Sequence, residues 1–156
     1  MSISSAAPRH LDQQGIPYRI FQHTSPPLSL EQAAAERGQK PHQIIRSILF
    51  RHEHKYYVMV LMAGPGQIAW KRIREHLGVS RISMATEAEV RQVTGYELGA
   101  VNPLGLPRMV RILADSSVFI PEEVSIGSGV RGVAIVIKSE DLKHAIGKFE
   151  SGSFAV

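Results

Sequence analysis

Three places in this chain hold residues whose type and spacing could do chemistry. The first is Arg46, in the run Ile44-Ile-Arg-Ser-Ile-Leu-Phe50. At the period of two of a strand, Arg46 shares a face with Ile44, Ile48 and Phe50. A cation on an apolar face needs a carboxylate, an opening to water or an anionic ligand, because burying it unpaired is costly. It can equally snorkel or pair internally. The second place is Thr94-Gly-Tyr-Glu-Leu-Gly-Ala-Val-Asn-Pro-Leu-Gly-Leu-Pro107, with three glycines and two prolines. Glycine lets a ligand approach the main chain, and proline fixes φ and removes a donor. Gly99-Ala-Val-Asn-Pro103 can thus wall a pocket that binds through backbone N–H and C=O, or form an ordinary surface loop. The third is Gly127-Ser-Gly-Val-Arg-Gly132, either a turn between strands or a place where backbone meets ligand.

Other chemistries find little support. The seven histidines show no metal pattern; His52 and His54 can share a strand face, but no third ligand lies near them. No HExxH, P-loop or GxGxxG motif is present, and Gly127-Ser-Gly129 lacks the Gly-x-Ser-x-Gly spacing of a nucleophile elbow. With no cysteine, disulfides, thiol nucleophiles and cysteine-based zinc sites are excluded. The expectation is a site with no metal and no cofactor.

The elements that must position these residues are legible from pattern. His10–Gln14 reads as the end of a short helix stopped by Gly15, and Tyr18–His23 as a strand. Ser29 opens a helix with Gln32 as its box partner, and Gly38 closes it. Gln43–His52 and Tyr56–Met62 form a hairpin through Glu53-His-Lys55. Gln67–Leu77 is a helix with Trp70, Ile73 and Leu77 on one face, ended by Gly78. Arg81–Ala85 is a short strand, and Thr86 with Glu89 caps the next helix, which ends near Gly95. Met109–Leu113, Val124–Gly127 and Val133–Lys138 are strands. Ser139 caps a last helix to Ile146, whose Glu140 and Asp141 suit its N-terminal end. Residues 1–8 and 148–156 are expected to be loose ends.

The 156 residues fit one domain with a sizeable core. An apolar fraction of 44% and 21% charged residues are those of a globular chain. No run approaches a membrane span, and the start lacks a signal-peptide core. These features and the missing cysteines fit a cytoplasmic location. A net charge of +4 permits a polyanionic partner. Aromatics, at 6%, are too few for a broad base-stacking surface. The mixture of hairpins and isolated helices points to α+β.

Taken together, Ile45–Phe50, Thr94–Gly105 and Ile126–Gly132 resemble the YbaK/ProX family of aminoacyl-tRNA deacylases, related to the editing domain inserted in bacterial prolyl-tRNA synthetases. The resemblance runs from about Gly15 to Ile146, and the Gly-x-x-x-Pro core at Gly99 and Pro103 is its most specific part. It implies one α+β domain with a mixed, largely antiparallel, barrel-like sheet of about seven strands flanked by helices. It implies a trans-editing hydrolase that cleaves the ester between a wrong amino acid and the terminal adenosine of a tRNA, most simply the tRNA for proline carrying a small residue. A non-catalytic member that binds tRNA or a synthetase is the alternative. Gly99, Ala100 and Arg46 would be catalytic. Ser47, Val101, Asn102, Pro103, Gly105, Gly127, Ser128 and Gly129 would bind substrate. The partners implied are the acceptor end of an aminoacyl-tRNA and prolyl-tRNA synthetase. Two departures stand out. The family usually has lysine at Arg46, and arginine stays protonated, so it suits phosphate binding and not proton transfer. Asn102 stands where Ser or Thr is common, which bears on the amino-acid pocket.

Overall fold

The computed structural model describes residues 5–156. Its elements, in order, are α1 (Ala6–Gln13), β1 (Arg19–Gln22), α2 (Leu30–Arg37), β2 (Ile45–His52), β3 (Tyr56–Ala63), α3 (Trp70–Leu77), β4 (Ser83–Met84), α4 (Glu87–Thr94), β5 (Arg111–Asp115), β6 (Glu123–Gly127), β7 (Val133–Lys138), α5 (Ser139–Ile146) and β8 (Glu150–Gly152).

Local sequence explains most of the helix ends. Thr86 and Glu89 close a reciprocal capping box on α4, satisfying two N-terminal amides. On α2 the Ser29 hydroxyl accepts from the Gln32 amide, but the Gln32 side chain accepts from Leu28 N–H, one residue earlier than a box requires. Gly38, Gly78 and Gly95 end α2, α3 and α4 in the left-handed conformation, the usual role of glycine after a helix. Ser139 is inside α5 and its hydroxyl donates to the Glu122 carbonyl, so Lys138 holds the cap position instead.

The strands form two sheets. One has the order β1-β7-β6, all antiparallel. The other has the order β4-β2-β3-β5-β8 and is mixed: β4-β2 and β2-β3 are antiparallel, β3-β5 and β5-β8 parallel. A parallel bridge from Ile44 to Ser125 is where β2 and β6 approach. The α+β class holds, but among the described residues the expected barrel does not close, and eight strands in two sheets replace the expected seven or so in one.

The main core lies between the sheets. It joins Ile45, Leu49, Met59 and Leu61 of one sheet to Val124, Ile126, Ile135 and Ile137 of the other, with α1, α4 and α5 contributing Leu11, Val93 and Leu142. A second cluster covers the far face of the five-stranded sheet: Phe50, Val58, Val60 and Met62 pack on Ile73 of α3 and on Phe154. Because β3 is covered on both faces, it reads as a continuous apolar run, not as an alternation.

The expectation of loose ends needs correction where it can be compared; residues 1–4 lie outside the described residues. Ala7 and Pro8 are buried within α1. At the other end β8 adds to β5, and the Phe154 amide donates to Asp115 at 2.8 Å. The strand expected over Met109–Leu113 runs on to Asp115, the last residue of β5, which is buried to receive this tail. A three-residue strand rich in Gly and Ser carries no periodic signal, which is why the sequence did not reveal it.

Candidate active site

The stretch after α4 folds around its own buried polar groups. Tyr96 is buried and its hydroxyl donates to the Leu104 carbonyl at 2.5 Å, tying the two ends of the loop. Glu97 to Ala100 forms a turn in which Ala100 N–H donates to Glu97 C=O at 3.0 Å. Gly99, third in that turn, has φ +89°, which a type II turn reserves for glycine. Asn102 is fully buried, and its side-chain oxygen accepts from Leu104 N–H at 2.9 Å. The Asn102 side chain thus braces its own loop. Pro103 is also buried.

The second glycine stretch packs directly on the first. A Cβ on Gly127 would lie 2.6 Å from the Val101 carbonyl oxygen and 2.9 Å from the Ala100 carbonyl carbon. Gly129 N–H donates to Ala100 C=O at 3.0 Å, and a Cβ there would meet the Tyr96 ring at 2.8 Å. Gly105 does the same toward α1, where a Cβ would lie 2.7 Å from the Ala6 oxygen. At these three positions, then, the close approach is of chain to chain. Ser128 is buried as well; its hydroxyl accepts from Val130 N–H and lies 2.7 Å from the Val133 carbonyl. It holds the turn in shape.

Several amides of the loop are left over, those of Gly99 and Val101 on either side of Ala100 among them. Among the described residues no backbone hydrogen bond uses the N–H of Gly99 or Val101. Ala100, between them, is fixed at both its N–H and its C=O. Preorganised backbone donors held this way are the kind that stabilise a developing oxyanion.

Arg46 and Ser47 leave β2 on opposite faces. Arg46 pairs across the hairpin with Met62 of the far-face cluster, Ser47 with Leu61 of the main core. The Arg46 Nε–H donates to Gly64 C=O at 2.8 Å, and its Nη2 donates to Gly66 C=O. No carboxylate of the described residues pairs with it, so an internal ion pair is not its partner. Burial draws its pKa down from the ordinary arginine value. The Ser47 hydroxyl is buried and has no hydrogen-bond partner. It shares a face with Ile45 and Leu49, on the side of the sheet where Val101 packs. The Ile44–Ser125 bridge runs β2 beside β6, so the chain advances toward Ser47 and Gly127 in parallel.

The structure therefore brings Gly99, Ala100, Val101, Gly127, Ser128 and Gly129 together. Ser47 stands on the adjoining face, Asn102 and Pro103 inside the loop, and Arg46 on the opposite face. A cleft of about 670 Å³ borders the loop at Pro103 and Gly105 and continues to Arg108, Lys148 and Phe149. Sequence reasoning missed Tyr96 and Arg131 as parts of this region. Both lie within the glycine-rich stretches it singled out, but neither type by itself signals a role.

Residues 24–145 match the aminoacyl-tRNA editing domain family, and the chain belongs to it. It is 33% identical over 96 residues to the proline–tRNA ligase of Bacillus licheniformis, covering 62% of this chain and 17% of that protein. With the proline–tRNA ligase of Streptococcus equi subsp. equi it shares 32% over 90 residues, 58% of this chain and 14% of the ligase. The chain thus spans only a small part of these relatives. Two crystal structures share the fold. A candidate trans-editing enzyme for prolyl tRNA synthetase superposes with a TM-score of 0.87 at 22% identity, over 99% of both chains. The hypothetical protein APE2540 does so with 0.84 at 20% identity, over 96% of this chain and 98% of that one.

Proposed function

We propose that this protein is a trans-editing deacylase: it hydrolyses the ester between a wrongly attached small amino acid and the terminal adenosine of a tRNA, most simply the tRNA for proline. The observation that carries this reading is the fixed turn Glu97–Ala100 with its free Gly99 amide, in a chain of the editing-domain family. Water attacks the ester carbonyl carbon. The oxyanion that forms takes hydrogen bonds from the Gly99 and Val101 amides, and Ala100 keeps both in place. As the tetrahedral intermediate collapses, the C–O bond to the ribose breaks, the proton given up by the attacking water passes to that ribose oxygen, and the amino acid leaves. The Ser47 hydroxyl supplies the hydrogen bond that orients the aminoacyl group. Arg46 stiffens the Gly64–Gly66 turn from the opposite face of β2.

The small side chains at Gly99 and Ala100 favour a small amino acid. Pockets discriminate poorly against acids differing by a methylene or hydroxyl, which is the reason such editing exists. The reaction needs no metal or cofactor, and its setting is the cytoplasm, where charged tRNA and prolyl-tRNA synthetase are found. The test is a deacylation screen of the purified protein across tRNAs mischarged with alanine, serine, threonine, cysteine and phenylalanine. Turnover of a small-residue ester supports the proposal. Preference for phenylalanine, or no turnover at all, contradicts it; tRNA binding without turnover selects a non-catalytic role.

A further inference from the structure

Gly99 has one neighbour on the side where a Cβ would stand, and it is a cation. The Arg131 Nε lies 3.4 Å from that position and its Nη2 4.0 Å, with no other group within 4 Å. Arg131 reaches there from a turn that is itself held rigid. The buried Ser128 hydroxyl accepts from Val130 N–H, Val133 N–H donates to Val130 C=O at 3.1 Å, and Gly129 is bonded to Ala100. Arg131 is exposed and makes no ion pair or side-chain hydrogen bond among the described residues. Several other arginines are occupied: Arg51 by Glu89, Arg111 by Glu150, Arg37 by His23 and Ser125, Arg46 by two carbonyls.

We infer that Arg131 is a substrate-binding residue that engages the phosphate of the terminal nucleotide of an RNA acceptor end. The inference rests on the editing reading for the ligand's identity and on the geometry for the residue. An aminoacyl ester sits on the ribose of the last nucleotide, and that ribose carries a phosphate on its 5′ side. A cation beside the turn that receives the ester carbonyl therefore meets this phosphate. Guanidinium matches it in shape and charge, can bind it bidentately, and stays protonated throughout. Its contact forms equally in ground and transition states, so it acts on binding more than on the chemical step.

The experiment measures binding of an uncharged RNA minihelix ending in CCA to wild type, Arg131→Ala and Arg131→Lys, by fluorescence anisotropy over a salt series. Loss of one phosphate contact should weaken binding about tenfold, close to 1.4 kcal/mol. It should also lower the magnitude of the log–log salt slope by about 0.7–0.9. Arg131→Lys should recover most of both, and melting temperatures should match. With a substrate that turns over, Arg131→Ala should raise KM with little change in kcat. Equal Kd and slope for wild type and Arg131→Ala, or no binding by wild type, overturns the inference. If the wild type binds the minihelix and Arg131→Ala weakens it while no ester is hydrolysed, the deacylase reading fails and the Arg131 assignment stands.

Discussion

The Gly129 amide donates to the Ala100 carbonyl at 3.0 Å, so two glycine-rich stretches far apart in the chain become one wall. Nearby, Gly127 has no room for a side chain, although its φ is not in the left-handed region. Gly127→Ala must push the Val101 carbonyl away. Forced overpacking of this kind costs about 1–3 kcal/mol. At about 2–4 °C per kcal/mol, melting should fall by roughly 2–12 °C. Deacylation should fall further than stability explains, since Val101 belongs to the donor loop itself. Unchanged melting and turnover would show that the wall yields freely.

Arg46 holds two backbone carbonyls and no carboxylate. Arg46→Ala should therefore lose two hydrogen bonds from a charged group, each worth about 1.5–3 kcal/mol. Arg46→Lys should regain part of the loss, because one ammonium cannot span both carbonyls as the fork does. Chemical denaturation of both variants decides; no loss for Arg46→Ala would show that the two carbonyl contacts contribute nothing in solution.

Phe154 is almost fully buried against Ile73 and Phe50. Phe154→Ala should cost about 3–5 kcal/mol, as for other buried aromatics. A thermal scan reads it directly. No change would mean that the tail after β8 is undocked in solution.

Stability should also fall in acid through two carboxylates. Glu89 is held near a pKa of about 2, chiefly by the Thr86 amide and then by the Tyr57 hydroxyl. Glu150 is held near about 2, chiefly by the bidentate Arg111 guanidinium. Both are depressed from 4.5. Their contribution is complete above pH 4.5 and is lost as the pH falls toward 2. Glu150→Gln should thus flatten the curve of melting temperature against pH in that window. Parallel curves for variant and wild type would exclude this source.

The sequence made some of these relationships readable and hid others for physical reasons. Helix limits marked by Thr86, Gly38 and Gly95 were legible because capping is local chemistry. The hairpin β2-β3 was legible because its short turn separates two apolar runs. The grouping of the two glycine stretches came from resemblance; composition allowed plain turns as well. The face of Arg46 followed from period two, but its partners did not, because carbonyl acceptors leave no mark on residue type. The division into two sheets was hidden too: it depends on which distant strands pair, such as β1 with β7, where Arg19 meets Val136.

The most direct measurement is hydrolysis of tRNA for proline charged with alanine, followed beside the same tRNA charged with proline. The account predicts that catalytic amounts of the protein release alanine far faster than the uncatalysed ester decays and leave the prolyl ester largely intact. Equal decay of the alanyl ester with and without protein would contradict it.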